Sequence, residues 1–163
     1  VFNGNVLIAK GKDIIYQKSF GYSIKESNKL LNDSSIFQIA SVSKVITGVA
    51  TLLLYEQGKL NLESKVSDIL TDFPYKNVTV KHLLSHRSGL PNYTYFCGQY
   101  LGDTVCRLSN QQMLDIMIKY KPKAYLNPGL RFNYSNTNYA LLALIIEKVS
   151  PILPPLTFPP FKL

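Results

Sequence analysis

The stretch Phe37–Lys44 reads FQIASVSK and contains Ser41-Val42-Ser43-Lys44, the only Ser-x-x-Lys in the chain. From Ile36 onward the apolar residues Val45, Ile46, Val49, Leu52 and Leu53 recur at helical spacing, and Gly58 supplies a stop. This spacing predicts a helix that begins near the serine. Residues three apart on a helix share a face, so Ser41 and Lys44 meet. The helix is apolar over most of its surface, which predicts a buried central element. A serine hydroxyl needs a nearby base to act as a nucleophile. A lysine amine serves as that base when burial lowers its pKa. Ile39, Ala40, Val45 and Ile46 are the neighbours expected to bury it. A serine at a helix start also sits where free N–H groups and the dipole favour negative charge, as on an oxyanion. Alone, the motif carries little. About one such match arises by chance in a chain of this size, and for a lone match a capping serine beside an exposed lysine is the plainer account.

Working outward, Asn5–Lys10 and Asp13–Phe20 alternate apolar and polar residues around Gly11-Lys12, which predicts a β-hairpin. Ser23–Ser34 is polar and loop-like. After the serine helix, a small helix is expected around Glu63–Leu70. Thr79 caps a brief one through Ser85, which Ser88-Gly89-Leu90-Pro91 breaks. Ser109-Asn110-Gln111-Gln112 has the form of a capping box opening a helix to about Tyr120. Asn136–Val149 is the next helix, with Tyr139, Leu142, Ile145 and Ile146 on one stripe. The proline-rich segment 151–163 should be extended and loosely attached.

The chain has 163 residues, 46% hydrophobic and 17% charged, enough for one domain with a sizeable core. This composition excludes a disordered chain. Apolar runs such as Ala140–Ile146 are far shorter than the roughly 20 residues of a bilayer span, so no transmembrane segment is expected. Net charge is +8, but the lysines are scattered and build no basic face, which argues against nucleic acid as a partner. Cys97 and Cys106 share a loop-like stretch and read either as a small disulfide loop or as two thiols. His82 and His86 have a zinc-ligand spacing but no third ligand, so they read as structural and no metal is expected. Tyr93, Tyr95 and Phe96 read as cleft rim or as ordinary loop packing.

A second segment gives the serine its context. Tyr134-Ser135-Asn136 lies far downstream, after Pro128-Gly129 and ahead of a helix. A tyrosine beside an ammonium is partly phenolate and can take and return a proton. An asparagine offers a donor and an acceptor to a substrate amide. A packed tyrosine and a capping asparagine are the plainer alternative.

Taken together, Phe37–Lys44, the segment His82–Pro91 (HLLSHRSGLP) and Tyr134-Ser135-Asn136 followed by Tyr139 resemble the class C β-lactamase family. That family includes D-alanyl-D-alanine carboxypeptidases and related esterases. The resemblance runs from about Asn3 to Ser150, so residues 1–150 read as a partial domain and 151–163 as an atypical tail. It implies an α+β, penicillin-binding transpeptidase-like fold, here incomplete: an N-terminal two-stranded antiparallel hairpin plus a mainly helical region. It also implies that Ser41 is acylated, that Lys44 and Tyr134 jointly handle its proton, and that Asn136 contacts the substrate. The substrate would be a β-lactam, a D-alanyl peptide or an ester, with no cofactor. Export to a bacterial periplasm or cell envelope is a further implication.

The family's third motif, Lys/His-Ser/Thr-Gly on a later strand, has no equivalent after Tyr134. That strand carries one oxyanion donor and a cation. A truncated or altered copy, or a partner chain that supplies the missing strands, would explain this, and the favoured reading is the truncated or altered copy. It is either a weak or inactive serine hydrolase, or a non-catalytic fragment or interaction module. The oligomeric state is left open.

Overall fold

The computed structural model describes residues 2–101 and 108–150. Cys106 and the segment 151–163 lie outside them. The chain divides into two compact units, one ending at Ala40 and the other beginning at Ser41.

The first unit is β-structure. Strands β1 (Gly4–Lys10) and β2 (Asp13–Phe20) pair antiparallel, from Gly4 opposite Phe20 to Lys10 opposite Asp13, with a bulge at Ile8/Ala9. The hairpin is the one that residue alternation predicts. The supposed loop Ser23–Ser34 is partly ordered: β3 (Tyr22–Ile24) pairs with β4 (Lys29–Leu30). These strands are too short to show a period in the sequence. Asn3 ties the two hairpins together. Its Oδ1 accepts from the Tyr22 N–H at 2.7 Å, and its Nδ2 donates to the Tyr22 carbonyl at 3.1 Å. Leu7, Ile8, Ile14 and Ile15 are all exposed. Hairpins this small are marginal without a covered apolar face.

The second unit is helical: α1 (Ser43–Glu56), α2 (Val66–Ile69), α3 (Val80–Leu84), α4 (Tyr93–Leu101), α5 (Asn110–Tyr120) and α6 (Asn136–Val149). Helix α6 is its centre, packed by α1, α3 and α5 and more lightly by α2 and α4. Its Leu141, Leu142, Ile145 and Ile146 are wholly buried, with Val66, Val80, Leu83, Leu90, Met113 and Met117 in the same core. Each such side chain contributes about 1.5–3 kcal/mol. Polar caps set the starts of α3 and α5. Thr79 accepts from the His82 N–H while His82 Nδ1 accepts from the Thr79 N–H. Ser109 and Gln112 form the same reciprocal pair at α5. Among the described residues no helix is long and apolar enough to cross a membrane.

Two expectations need correction. Helix α1 is not buried. Thr47, Thr51 and Leu54 are covered, but Val45 and Ile46 are each 65% exposed, and Val49, Leu52 and Leu53 are about half exposed. Hydropathy marks a face as suited to burial, and here α6 covers only one side of the helix. Second, Tyr93–Leu101 is a helix rather than a loop, with Phe96 and Cys97 in the interior and Tyr95 exposed. Cys97 is not a free thiol.

The turn Ser88–Pro91 positions the segment that leads to Tyr134. Gly89 has φ +71°, and a Cβ there would lie 2.0 Å from the Leu126 carbonyl oxygen. The Gly89 carbonyl in turn accepts from the Tyr125 N–H at 2.8 Å. Only glycine permits both the left-handed backbone and this approach. The contact holds residues 125 and 126 against the turn.

Candidate active site

Ser41 occupies a short 3₁₀ turn, Ala40–Val42, directly ahead of α1. Helix α1 has no side-chain cap, so the Ser41 hydroxyl is not used for capping. It meets two other groups. Lys44 Nζ donates to Ser41 Oγ at 3.2 Å, and Ser41 Oγ lies 2.8 Å from the Tyr134 phenolic oxygen, 93 positions away in sequence. All three side chains reach solvent or its edge. The structure therefore brings together the serine, the lysine and the tyrosine singled out by spacing and motif.

The surroundings of Lys44 differ from expectation. Val45 and Ile46 are exposed and do not bury it. Aromatic rings flank it instead: its ammonium lies 5.1 Å from the Tyr134 ring centroid and 6.0 Å from that of Tyr139. A ring face attracts a cation. Tyr139 is itself fixed, its hydroxyl donating to the Leu84 carbonyl at 3.1 Å.

Tyr134 has its phenol held below the ordinary value of 10.0, first by the Lys44 ammonium and then by the hydrogen bond to Ser41. Both favour the phenolate. A proton can therefore pass between Ser41 and Tyr134 over a single hydrogen bond, with the lysine cation stabilising the charge. Asn136 begins α6, two residues beyond Tyr134, and is half-buried. No hydrogen bond to its side-chain amide occurs among the described residues.

The two histidines have separate partners. His82 closes the α3 cap. His86 is buried under Tyr134, with ring centroids 4.5 Å apart. Burial, and then the nearby Lys44 ammonium, lower its pKa from 6.5. Sequence reading treats His86 as merely structural. One signal is available: it lies just ahead of the Ser88-Gly89 turn. Asn138, wholly buried beside His86, is also missed by that reading.

A helical core built on α6 with a β-hairpin unit ahead of it in sequence has counterparts among known proteins. The Beta-lactamase family model matches residues 3–156, and the chain belongs to that family. It is 43% identical over 150 residues to Penicillin-binding protein 4* of Bacillus subtilis, covering 91% of this chain and 33% of that protein. A penicillin-binding protein from Bacillus halodurans superposes with a TM-score of 0.75 at 33% identity, over 92% of this chain and 46% of that one. The D-amino acid amidase of Ochrobactrum anthropi gives 0.71 at 25%, over 86% and 38%. The fold is thus that of the β-lactamase and penicillin-binding proteins. The chain spans a third of the first relative and less than half of either solved structure.

Proposed function

We propose that this chain carries the acyl-accepting half of a serine hydrolase site, with Ser41 as nucleophile. The observation that carries this reading is the double contact of Ser41 Oγ, with Tyr134 at 2.8 Å and Lys44 at 3.2 Å. Tyr134 as phenolate takes the Ser41 proton, and the Oγ–carbon bond forms as the substrate C=O electrons move onto oxygen. The tetrahedral intermediate then collapses. The leaving nitrogen or oxygen departs with the proton from Tyr134, and Ser41 is left acylated. Water repeats the sequence and frees the acid. Lys44 stays cationic and stabilises the phenolate, while Asn136 meets the substrate amide. Family membership supports β-lactams, D-alanyl peptides or small esters as substrates, without a cofactor, and supports an exported protein of the bacterial envelope.

A second reading is a non-catalytic module. The chain spans a third of the first relative and less than half of either solved structure, which leaves this reading beside the first. Intact mass after exposure to a labelled penicillin or a fluorophosphonate separates the two. A stable adduct on the wild type, absent in Ser41→Ala, supports the hydrolase. No adduct at saturating probe leaves the module.

A further inference from the structure

We infer that His86 is the positioning residue for Tyr134: it holds the backbone on both sides of the tyrosine and backs its ring, so that the phenol points at Ser41. This inference rests on the hydrolase reading for its purpose, and on geometry for its content.

Tyr134 is 45% exposed and precedes α6 in an irregular segment, so by itself its ring would sample several rotamers. His86 removes that freedom at three points. Its carbonyl accepts from the Asn133 N–H at 2.7 Å. Its Nδ1 accepts from the Ser135 N–H at 3.3 Å. Its ring lies against the Tyr134 ring at 4.5 Å and 34°, with Tyr139 at 5.0 Å and Phe132 at 5.8 Å completing the cage. One residue thus contacts positions 133, 134 and 135 in succession.

The hydrogen-bond directions fix the state of the imidazole. A backbone N–H can only donate, so Nδ1 carries no proton. Asn138 must then present its amide nitrogen to Nδ1, which it does at 3.1 Å. Its Oδ1 is left to accept from the Ser88 hydroxyl at 2.5 Å, and Ser88 Oγ accepts from the Leu90 N–H at 3.1 Å. Ser88, Ser135 and Asn138 are buried, so each polar group needs its partner. The chain of hydrogen bonds runs one way, and its end state is a neutral His86. A neutral ring also avoids a second cation beside Lys44. His86 adopts φ +52°, a left-handed conformation uncommon outside glycine. Strain of this kind is kept where the surroundings over-determine it and clusters at sites of function.

The test uses His86→Ala, His86→Asn and His86→Phe in the full chain. Asparagine tolerates the left-handed backbone and keeps an acceptor near the Nδ1 position. Phenylalanine keeps the ring and loses the acceptor. Two readouts are taken at a temperature where each variant is folded by circular dichroism. The first is the rate of fluorophosphonate labelling of Ser41. The second is the titration of the Tyr134 phenol, followed by NMR of ring-labelled tyrosine and assigned with Tyr134→Phe.

The expected result is labelling slower by ~10–100-fold in His86→Ala, the scale of an ångström-sized misplacement. The phenol should titrate higher in the same variant, and His86→Asn should restore both readouts toward wild type. The inference is overturned if a folded His86→Ala labels and titrates as wild type, or if His86→Asn does no better than His86→Ala. If His86→Ala does not fold, the other two variants decide. Asparagine near wild type and phenylalanine slow supports the clamp, and the reverse or equality removes it. If wild-type Ser41 takes no label at all, the hydrolase reading fails, and the Tyr134 titration still decides whether His86 positions the ring.

Discussion

The Ser41 hydroxyl and the Tyr134 phenol lie 2.8 Å apart, although one starts a helix and the other ends a loop 93 residues later. That distance allows direct proton transfer without an intervening water. Replacing Tyr134 by phenylalanine removes the transfer and little else, because the hydroxyl is at the surface and the ring is retained. The expected outcome is fluorophosphonate labelling of Ser41 slower by about 10²-fold or more, with the thermal midpoint unchanged. Labelling at the wild-type rate would exclude Tyr134 from the chemistry.

Tyr134 also sets a pH dependence. Lys44 and Ser41 hold its phenol below 10.0. The reactive phenolate therefore accumulates as pH rises, with its midpoint under that value. Labelling of Ser41 should rise with pH along the same curve. Lys44→Met removes the cation that favours the phenolate, so the Tyr134 midpoint should move upward. Near-ultraviolet titration of tyrosinate, corrected with Tyr134→Phe, measures it. A downward movement, or none, would mean that the ammonium does not act on the phenol.

The site is legible in the sequence where spacing alone creates proximity. Ser41 and Lys44 lie one helical turn apart, and that relation needs nothing beyond the helix. Tyr134 is legible only through the motif around it, since no local rule connects it to Ser41. His86 is visible as a turn residue, but its contact with positions 133–135 arises from Gly89 meeting Leu126, a tertiary approach with no local signature. The long helices α1 and α6 follow from periodicity, and α5 from its capping box. Helix α4 follows from neither, because its apolar stripe, Tyr93, Phe96, Cys97 and Tyr100, spans only two turns and is interrupted by Gly98, so periodicity hardly separates it from a loop. The burial of α1 is misjudged for a different reason: a sequence states which face is apolar and leaves open what covers it.

Stability should fall in acid through His86. Burial and the Lys44 ammonium place its folded pKa below 6.5, while the unfolded chain titrates near 6.5. Below that value the unfolded state binds the extra proton first. Stability is therefore complete above about 6.5 and is lost as pH falls from there through the folded value. The groups facing the ring are Lys44, Tyr134 and Tyr139, and none is an acid that would favour the imidazolium. Urea midpoints measured across this range should fall more steeply for wild type than for His86→Phe, which cannot take the proton. Equal slopes would assign the acid sensitivity elsewhere.

Two glycines separate backbone conformation from crowding. Gly58 after α1 has φ +68° and open space around it, whereas Gly89 has φ +71° and the Leu126 carbonyl in the way. Gly58→Ala should cost about 1–2 kcal/mol, the left-handed penalty alone. Gly89→Ala should cost more, because the backbone must also part from Leu126. Urea denaturation of the two variants measures the difference. Equal costs would show that the approach at Gly89 is readily relaxed.

The exposed side of α1 gives the last contrast. Ile46 and Ile145 are both helical isoleucines, one 65% exposed and the other wholly buried. Ile145→Ala removes packed methyl groups from the α6 core and should cost about 2–5 kcal/mol. Ile46→Gln loses little burial and should stay within about 0.5 kcal/mol of wild type. Val49→Gln, half exposed on the same helix, should behave similarly. If Ile46→Gln proves as costly as Ile145→Ala, α1 is covered in solution, and the side chains that look exposed belong to an interior.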